Sequence, residues 1–422
     1  MGLLRSGDWI LLCATILLLI LQAWSPLWRG HLQPDVGTFF DRATFFQTHG
    51  TWQGMSYNEY QPGALWFFAL LGWLSLARGS FDAFLSTVVF ANVALIIGHF
   101  FFFRHYGSRV APIIFTLLVL SMGPILLFRF ELFVSLILLM VWRLFQRGDD
   151  RAAAAVLGFA TSVKVYPVIL LPLLVAESLR LRLFKKATMT VLFFGLGLML
   201  PVAFMIAFGG SLSEIIQGVR VHNLKPISLD GVWGTIITIA QAVARIPFQK
   251  TFGSGIHGLA SNLPLLPSSV LNFIWMVPTG LTILFIFWQK RSRGYTDPGL
   301  AYLVLLTFLF FSKVLNPQYL WWFVVFLPWI PSPWHGPKSR WVVVVLAMLS
   351  LALTQIYYPM HYTQFLAWFD GTYPSPLLFI IVVLRNILLL VLLIFACVGY
   401  RRSCGHQVTL RKVLKRTGAK GE

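Results

Sequence analysis

Long apolar runs, interrupted by short basic loops, constrain this chain more than any other feature. Of its 422 residues 58% are hydrophobic and only 11% are charged. The mean hydropathy of +0.77 is more than a water-soluble domain can hide, whereas a polytopic membrane protein need not hide it. At about 20 residues per crossing there is room for roughly ten to twelve spans. The sequence predicts an all-α integral membrane protein with spans near 9–27, 83–103, 110–127, 131–146, 151–165, 166–180, 187–208, 266–288, 299–315, 318–332, 340–358 and 376–400. The run from Trp9 to Trp24 follows a short basic segment without a clear small-residue cleavage site, so it reads as a retained first span. No separate soluble domain is expected within residues 1–422.

The formal net charge of +19 would suggest nucleic acid in a soluble protein. Here the basic residues sit in short loops, and the enrichment of Lys and Arg on the cytoplasmic side explains them better. With the N-terminus inside, 22 of the 33 Lys and Arg residues fall on the cytoplasmic side. They include Arg104, Arg109, Arg182, Lys185, Lys186, Arg291, Lys338 and the basic tail 401–422, which is expected to face anionic lipid. The useful acids, beginning with Asp35 and Glu59, fall on the other side. Two apolar stretches, Gly63–Ala77 and Val232–Ile246, would break this alternation if they crossed. Both are therefore expected to be re-entrant or interfacial helices on the outer side, where such segments line a cavity or pack within protein. That leaves large outer segments near 28–82 and 209–265. Chemistry is expected on the outer face of the cell membrane, away from cytoplasmic nucleotides.

The outer segments carry the candidate residues. Asp35 comes soon after the first span, and a carboxylate there can serve as a general base on a hydroxyl or simply cap a short helix. Arg129 and Glu131 flank a span end, and Lys164 and Lys313 are cations in apolar surroundings. Two readings stay open for each lysine: a snorkelling side chain, or a group that holds an anion such as a lipid phosphate. The segment 221–233 places His222, Lys225 and Asp230 within nine residues. Arg385 lies inside a span with no partner evident in the sequence. The cysteines Cys13, Cys397 and Cys404 have no metal-binding spacing. No phosphate loop, zinc signature or serine-nucleophile elbow is present, and no metal or other cofactor is required.

Taken in order, these segments resemble the C-type membrane glycosyltransferases, and among them glycosyltransferase family 87, the polyprenyl-phosphate-mannose-dependent mannosyltransferases. The likeness rests on Asp35 followed by an aromatic and Ala43, and on Glu59-Tyr60-Gln61-Pro62, similar to a Glu-Tyr-Pro-Pro stretch. It continues in Arg129-Phe130-Glu131, similar to Arg-Phe-Asp, and in Lys164-Val165-Tyr166-Pro167, similar to Lys-Leu-Tyr-Pro. It extends through His222 to Gly231, with Lys225 and Asp230 in place of Arg and Glu, and ends in Pro317-Gln318-Tyr319. The resemblance implies a C-type transferase fold and inverting transfer of a hexose from a polyprenyl-phosphate sugar to a glycolipid or glycan hydroxyl. It implies Asp35 and His222 as catalytic groups. It also implies that Glu59, Tyr60, Arg129, Glu131, Lys164, Tyr166, Lys225, Asp230, Lys313, Gln318 and Tyr319 bind substrate. Two alternatives fit the same residues: a transporter or flippase of an anionic lipid-linked substrate, or transfer of another lipid-linked sugar such as arabinose.

Overall fold

A computed structural model describes residues 6–55, 60–76, 79–248, 250–253, 256–259, 270, 273–289, 296–330 and 337–417. Among these, six helices are long and apolar enough to cross a membrane: Gly7–Trp24, Phe81–Tyr106, Ala111–Phe128, Phe184–Ala207, Lys338–Met360 and Leu377–Arg401. The chain is an all-α membrane protein, apart from one small sheet that the sequence does not announce. Its three antiparallel strands, Ile227–Ser228, Lys250–Gly253 and Ile256–Leu259, lie in the order first, third, second.

Burial separates the long helices into layers. Ala111–Phe128 is 78% buried and forms the centre of the bundle, whereas Gly7–Trp24 and Phe184–Ala207 are each 22% buried and present apolar flanks. Of the remaining expected crossings, 266–288 lies partly outside the described residues, and the others are shorter. Glu131–Gln146 has 16 residues and Asp150–Val163 has 14, or about 24 and 21 Å of helix, against a hydrocarbon core of about 30 Å. Two segments expected as continuous spans are broken. Residues 166–180 fold as the 3₁₀ turn Tyr166–Leu170 and the helix Leu171–Arg180. Of residues 318–332, 331 and 332 lie outside the described residues, and the rest lie in and around the turn Pro317–Leu320, the one-turn helix Trp321–Val324 and the turn Leu327–Trp329. Each of the three 3₁₀ turns has a proline in its first positions, which supplies no N–H to a longer helix. The two stretches expected not to cross form the helices Pro62–Leu74 and Val232–Val243, of 13 and 12 residues.

Helix Asp150–Val163 packs closely on Phe184–Ala207. A Cβ on Gly158 would strike the Phe194 carbonyl, and one on Gly197 would strike the Ala155 carbonyl. Small residues thus let the two backbones touch, as apolar helices require when no water drives them together.

The region around Asp35 is not a loop. It is the helix Pro26–His49, which starts with a proline at its first position and ends at Gly50 in the left-handed region, with φ 65°. Asp35 therefore lies well inside a helix and is not an N-cap. The helix tolerates Pro34 because Leu32, Val36, Phe39 and Ala43 bury one face in the core.

Candidate active site

One helical turn of Pro26–His49 presents Asp35, Thr38 and Phe39 on a single face, at the spacing that aligns side chains. Together with residues from six other segments they line a cavity of about 490 Å³. Arg129 follows the 3₁₀ turn Gly123–Phe128 in extended backbone, and Glu131 opens helix Glu131–Gln146, where a negative charge suits the helix dipole. The extended stretch sends the two side chains to different partners. Arg129 forms an ion pair with Asp35, and Glu131 forms one with Lys164.

The two pairs differ in exposure. The Asp35 side chain is 40% exposed and Arg129 only 7%, whereas Glu131 is 1% exposed. The open carboxylate in the cavity is thus Asp35. Arg129 is itself held, because its guanidinium donates to the Tyr358 hydroxyl at 3.1 Å.

Lys164 is the first residue beyond helix Asp150–Val163, again in extended backbone. Its ammonium lies 4.5 Å from the Phe130 ring centre and 5.2 Å from those of Tyr319 and Trp322. Tyr166 stacks on Trp322 at 3.7 Å, and Tyr319 does so at 4.1 Å. The broken segments at 166–170 and 317–324 therefore supply an aromatic wall around a cation, an arrangement that stabilises positive charge. Irregular backbone at membrane depth is tolerated where it lines such a cavity.

Lys225 ends helix Leu212–Leu224 and Lys313 follows helix Pro298–Phe311. Their loops are tied together: the Ser228 N–H donates to the Lys313 carbonyl at 3.2 Å, and the Leu315 N–H to the Ser228 hydroxyl at 3.1 Å. Both lysines are buried and line the cavity. Among the described lining residues, the cations Arg129, Lys164, Lys225 and Lys313 outnumber the carboxylates Asp35 and Glu131 by two. His222 opens onto the same space. Desolvation by the surrounding walls, then the charges of Lys225 and Lys164, hold its imidazole down at about 4, so it is neutral at pH 7.

The rest of the lining mixes polar residues, Thr38, Gln61, Ser312, Asn316 and Gln318, with apolar ones. Val165, Val168, Val219, Phe273 and Met276 line it and are 36–54% exposed. The cavity thus combines a cluster of charges with exposed apolar lining residues.

Of the residues singled out from the sequence, Asp35, Tyr60, Arg129, Glu131, Lys164, Tyr166, His222, Lys225, Lys313, Gln318 and Tyr319 all line this one cavity. Glu59 lies outside the described residues. Asp230 is not among the lining residues. The structure places it behind the wall, where the Tyr357 hydroxyl donates to its carboxylate at 2.7 Å. Arg385 donates to its main-chain carbonyl, and Asn386 Nδ2 bonds the same carbonyl and Thr235 Oγ1, the latter at 2.7 Å. Burial raises the Asp230 carboxyl pKa, with Arg385 and the Tyr357 hydroxyl opposing. Arg385 thereby has its partner, together with the Tyr357 ring at 5.4 Å. Sequence reasoning missed Tyr357, Tyr358, Phe130 and Trp322. The run Tyr357-Tyr358-Pro359 at the end of an apolar span was a usable signal. A scan against protein-family models gives no match, and neither does a comparison with curated proteins.

Proposed function

We propose that this protein transfers a hexose, mannose in the first instance, from a polyprenyl-phosphate sugar to a hydroxyl of a glycolipid or glycan, on the outer face of the cell membrane. One observation carries the reading: the cavity joins an exposed carboxylate and a surplus of two positive charges to exposed apolar lining residues. An amphiphilic phosphate with a reactive group at its head has matching chemistry. The phosphate would lie against Lys225, Lys313 and the aromatic-caged Lys164, with the lipid chain leaving between Val165, Val168 and Met276.

In the proposed step the acceptor oxygen attacks the anomeric carbon while Asp35 takes the hydroxyl proton. The bond from the anomeric carbon to the phosphate oxygen breaks, and its electron pair leaves on the polyprenyl phosphate. The lysines stabilise that growing charge where water is scarce. A single displacement inverts the anomeric centre. A double displacement needs a second carboxylate as nucleophile, and Glu131 is buried and committed to Lys164.

The test is to incubate purified protein in vesicles with polyprenyl-phosphate-mannose and a glycolipid acceptor, and to detect a hexose-extended acceptor by mass. Product that disappears in Asp35→Asn supports the reading. Product from polyprenyl-phosphate-arabinose alone changes the sugar and keeps the mechanism. Movement of the lipid-linked sugar across the bilayer with no extended acceptor replaces the transferase with a flippase.

A further inference from the structure

Helix Asp150–Val163 has Lys164 and the cavity at one end. Its other end, about 21 Å away for 14 residues, opens on a second cleft. This cleft lies between the turn 148–151 and the segment 182–190. Its lining cations are Arg151, Arg182, Lys185 and Lys186, and its carboxylates are Asp149 and Asp150. Both carboxylates are engaged inside the protein. Asp149 accepts the Ala152 N–H at 3.2 Å, and Asp150, 8% exposed, pairs with Lys186 at 2.5 Å. Arg151, Arg182 and Lys185 are exposed. Helices Asp150–Val163 and Phe184–Ala207 both start here, and their N-terminal dipoles add to the positive field.

The same rim is also apolar. Leu181, Leu183 and Phe184, exposed by 53, 47 and 65%, interleave with the basic residues. The tight turn that presents them passes through Arg182 at φ 56°. An inorganic anion would use only the cations. Exposed apolar side chains alternating with them match a phosphate that carries acyl chains.

We propose that this cleft is a binding site for the headgroup of an anionic phospholipid, on the membrane face opposite the cavity. The phosphate diester contacts Arg182 and Lys185, and the acyl chains lie along Leu183 and Phe184. The site is independent of the transferase reading and uses none of its residues.

Native mass spectrometry of the full-length protein, released from mixed phosphatidylglycerol and phosphatidylcholine, tests this. The expected result is one phosphatidylglycerol retained in preference to phosphatidylcholine. In the double variant Arg182→Gln, Lys185→Gln, retention falls by about tenfold or more, as two charge-assisted contacts are lost. Arg109→Gln with Lys338→Gln removes the same charge from other loops and leaves retention unchanged. An equal fall in that control assigns the effect to diffuse surface charge and overturns the site. Millimolar inorganic phosphate leaves the lipid in place if the acyl chains contribute, and Leu183→Ser, Phe184→Ser then weakens it. Full displacement by phosphate makes free phosphate the ligand and overturns the lipid assignment. Size-exclusion profiles of the exposed-site variants confirm that they are folded.

Discussion

Asp35 and Asp230 sit in two regions built from the same parts. Each couples a carboxylate to an arginine and a tyrosine. Arg129 pairs with Asp35 and donates to the Tyr358 hydroxyl. Arg385 bonds the Asp230 main chain, and the Tyr357 hydroxyl bonds its carboxylate. The two tyrosines are neighbours in the irregular turn Ile356–Met360, where Tyr358 departs from helical backbone (φ −137°, ψ 124°). The pairing differs, since Arg129 meets the Asp35 carboxylate and Arg385 the Asp230 main chain, and so does exposure. The Asp35 side chain is 40% exposed into a cavity, while Asp230 is 8% and Arg385 0% exposed. Similar parts therefore serve different ends: an open carboxylate can exchange a proton with a ligand, and an enclosed one braces the wall behind it.

The sharpest way to break this comparison is Arg385→Met. Removing one member of a buried charged contact costs about 3–5 kcal/mol, so folded, monodisperse protein should be largely lost, as read by size exclusion after heating. Wild-type thermal stability in that variant would end the bracing interpretation. Lys164→Met comes next, because it strands Glu131, which is 1% exposed. A loss of about 3 kcal/mol is expected, and the double variant Lys164→Met, Glu131→Gln should recover most of the thermal stability. If the double variant is no better than the single, the lysine is held by its aromatic cage alone.

Asp35→Asn should reverse the pattern seen at Arg385. Folding and donor binding stay near normal while turnover falls by at least about a hundredfold. Asp41→Asn, at an exposed position of the same helix, should be far milder. Near-normal transfer by the Asp35 variant would move the base to another residue. Tyr358→Phe removes one hydrogen bond to Arg129, worth about 0.5–1.5 kcal/mol. It should lower kcat by roughly two- to tenfold with little change in KM, since it positions the pair without touching substrate. A change confined to KM would contradict that role.

The smallest effect concerns His222, because the residue is exposed and water screens the influences on its ring. Its pKa is held down at about 4 against an ordinary value of 6.5. Between those values the unfolded chain binds a proton that the native protein refuses. The stability contributed by the neutral ring is therefore complete above about pH 6.5 and is lost as pH falls toward 4. His222→Gln should flatten the thermal midpoint across that window. An unchanged slope would show that other groups control it.

Much of the candidate cavity lining was legible in the sequence because its parts are marked locally. Lys164-Val165-Tyr166-Pro167 and Lys313 near Pro317-Gln318-Tyr319 each place a cation beside proline and aromatics at the end of an apolar run. Such a run has to stop where the surroundings change, so both marks fall at comparable depth. Hydrophobic length and basic loops likewise fix the membrane class, since each depends only on consecutive residues. The partners were not legible. Nothing near Arg385 announces Asp230, 155 positions away, and nothing near Glu131 states that it takes Lys164 rather than facing a ligand. The helix around Asp35 was also hidden, because Pro34 argues against it locally while Leu32, Val36 and Phe39 favour it only once a core exists to bury them. Composition and order along the chain thus determined that this is an integral membrane protein and which side chains are candidates. Tertiary packing decided which carboxylate stays open and which is sealed, because burial and pairing depend on what the rest of the chain brings alongside.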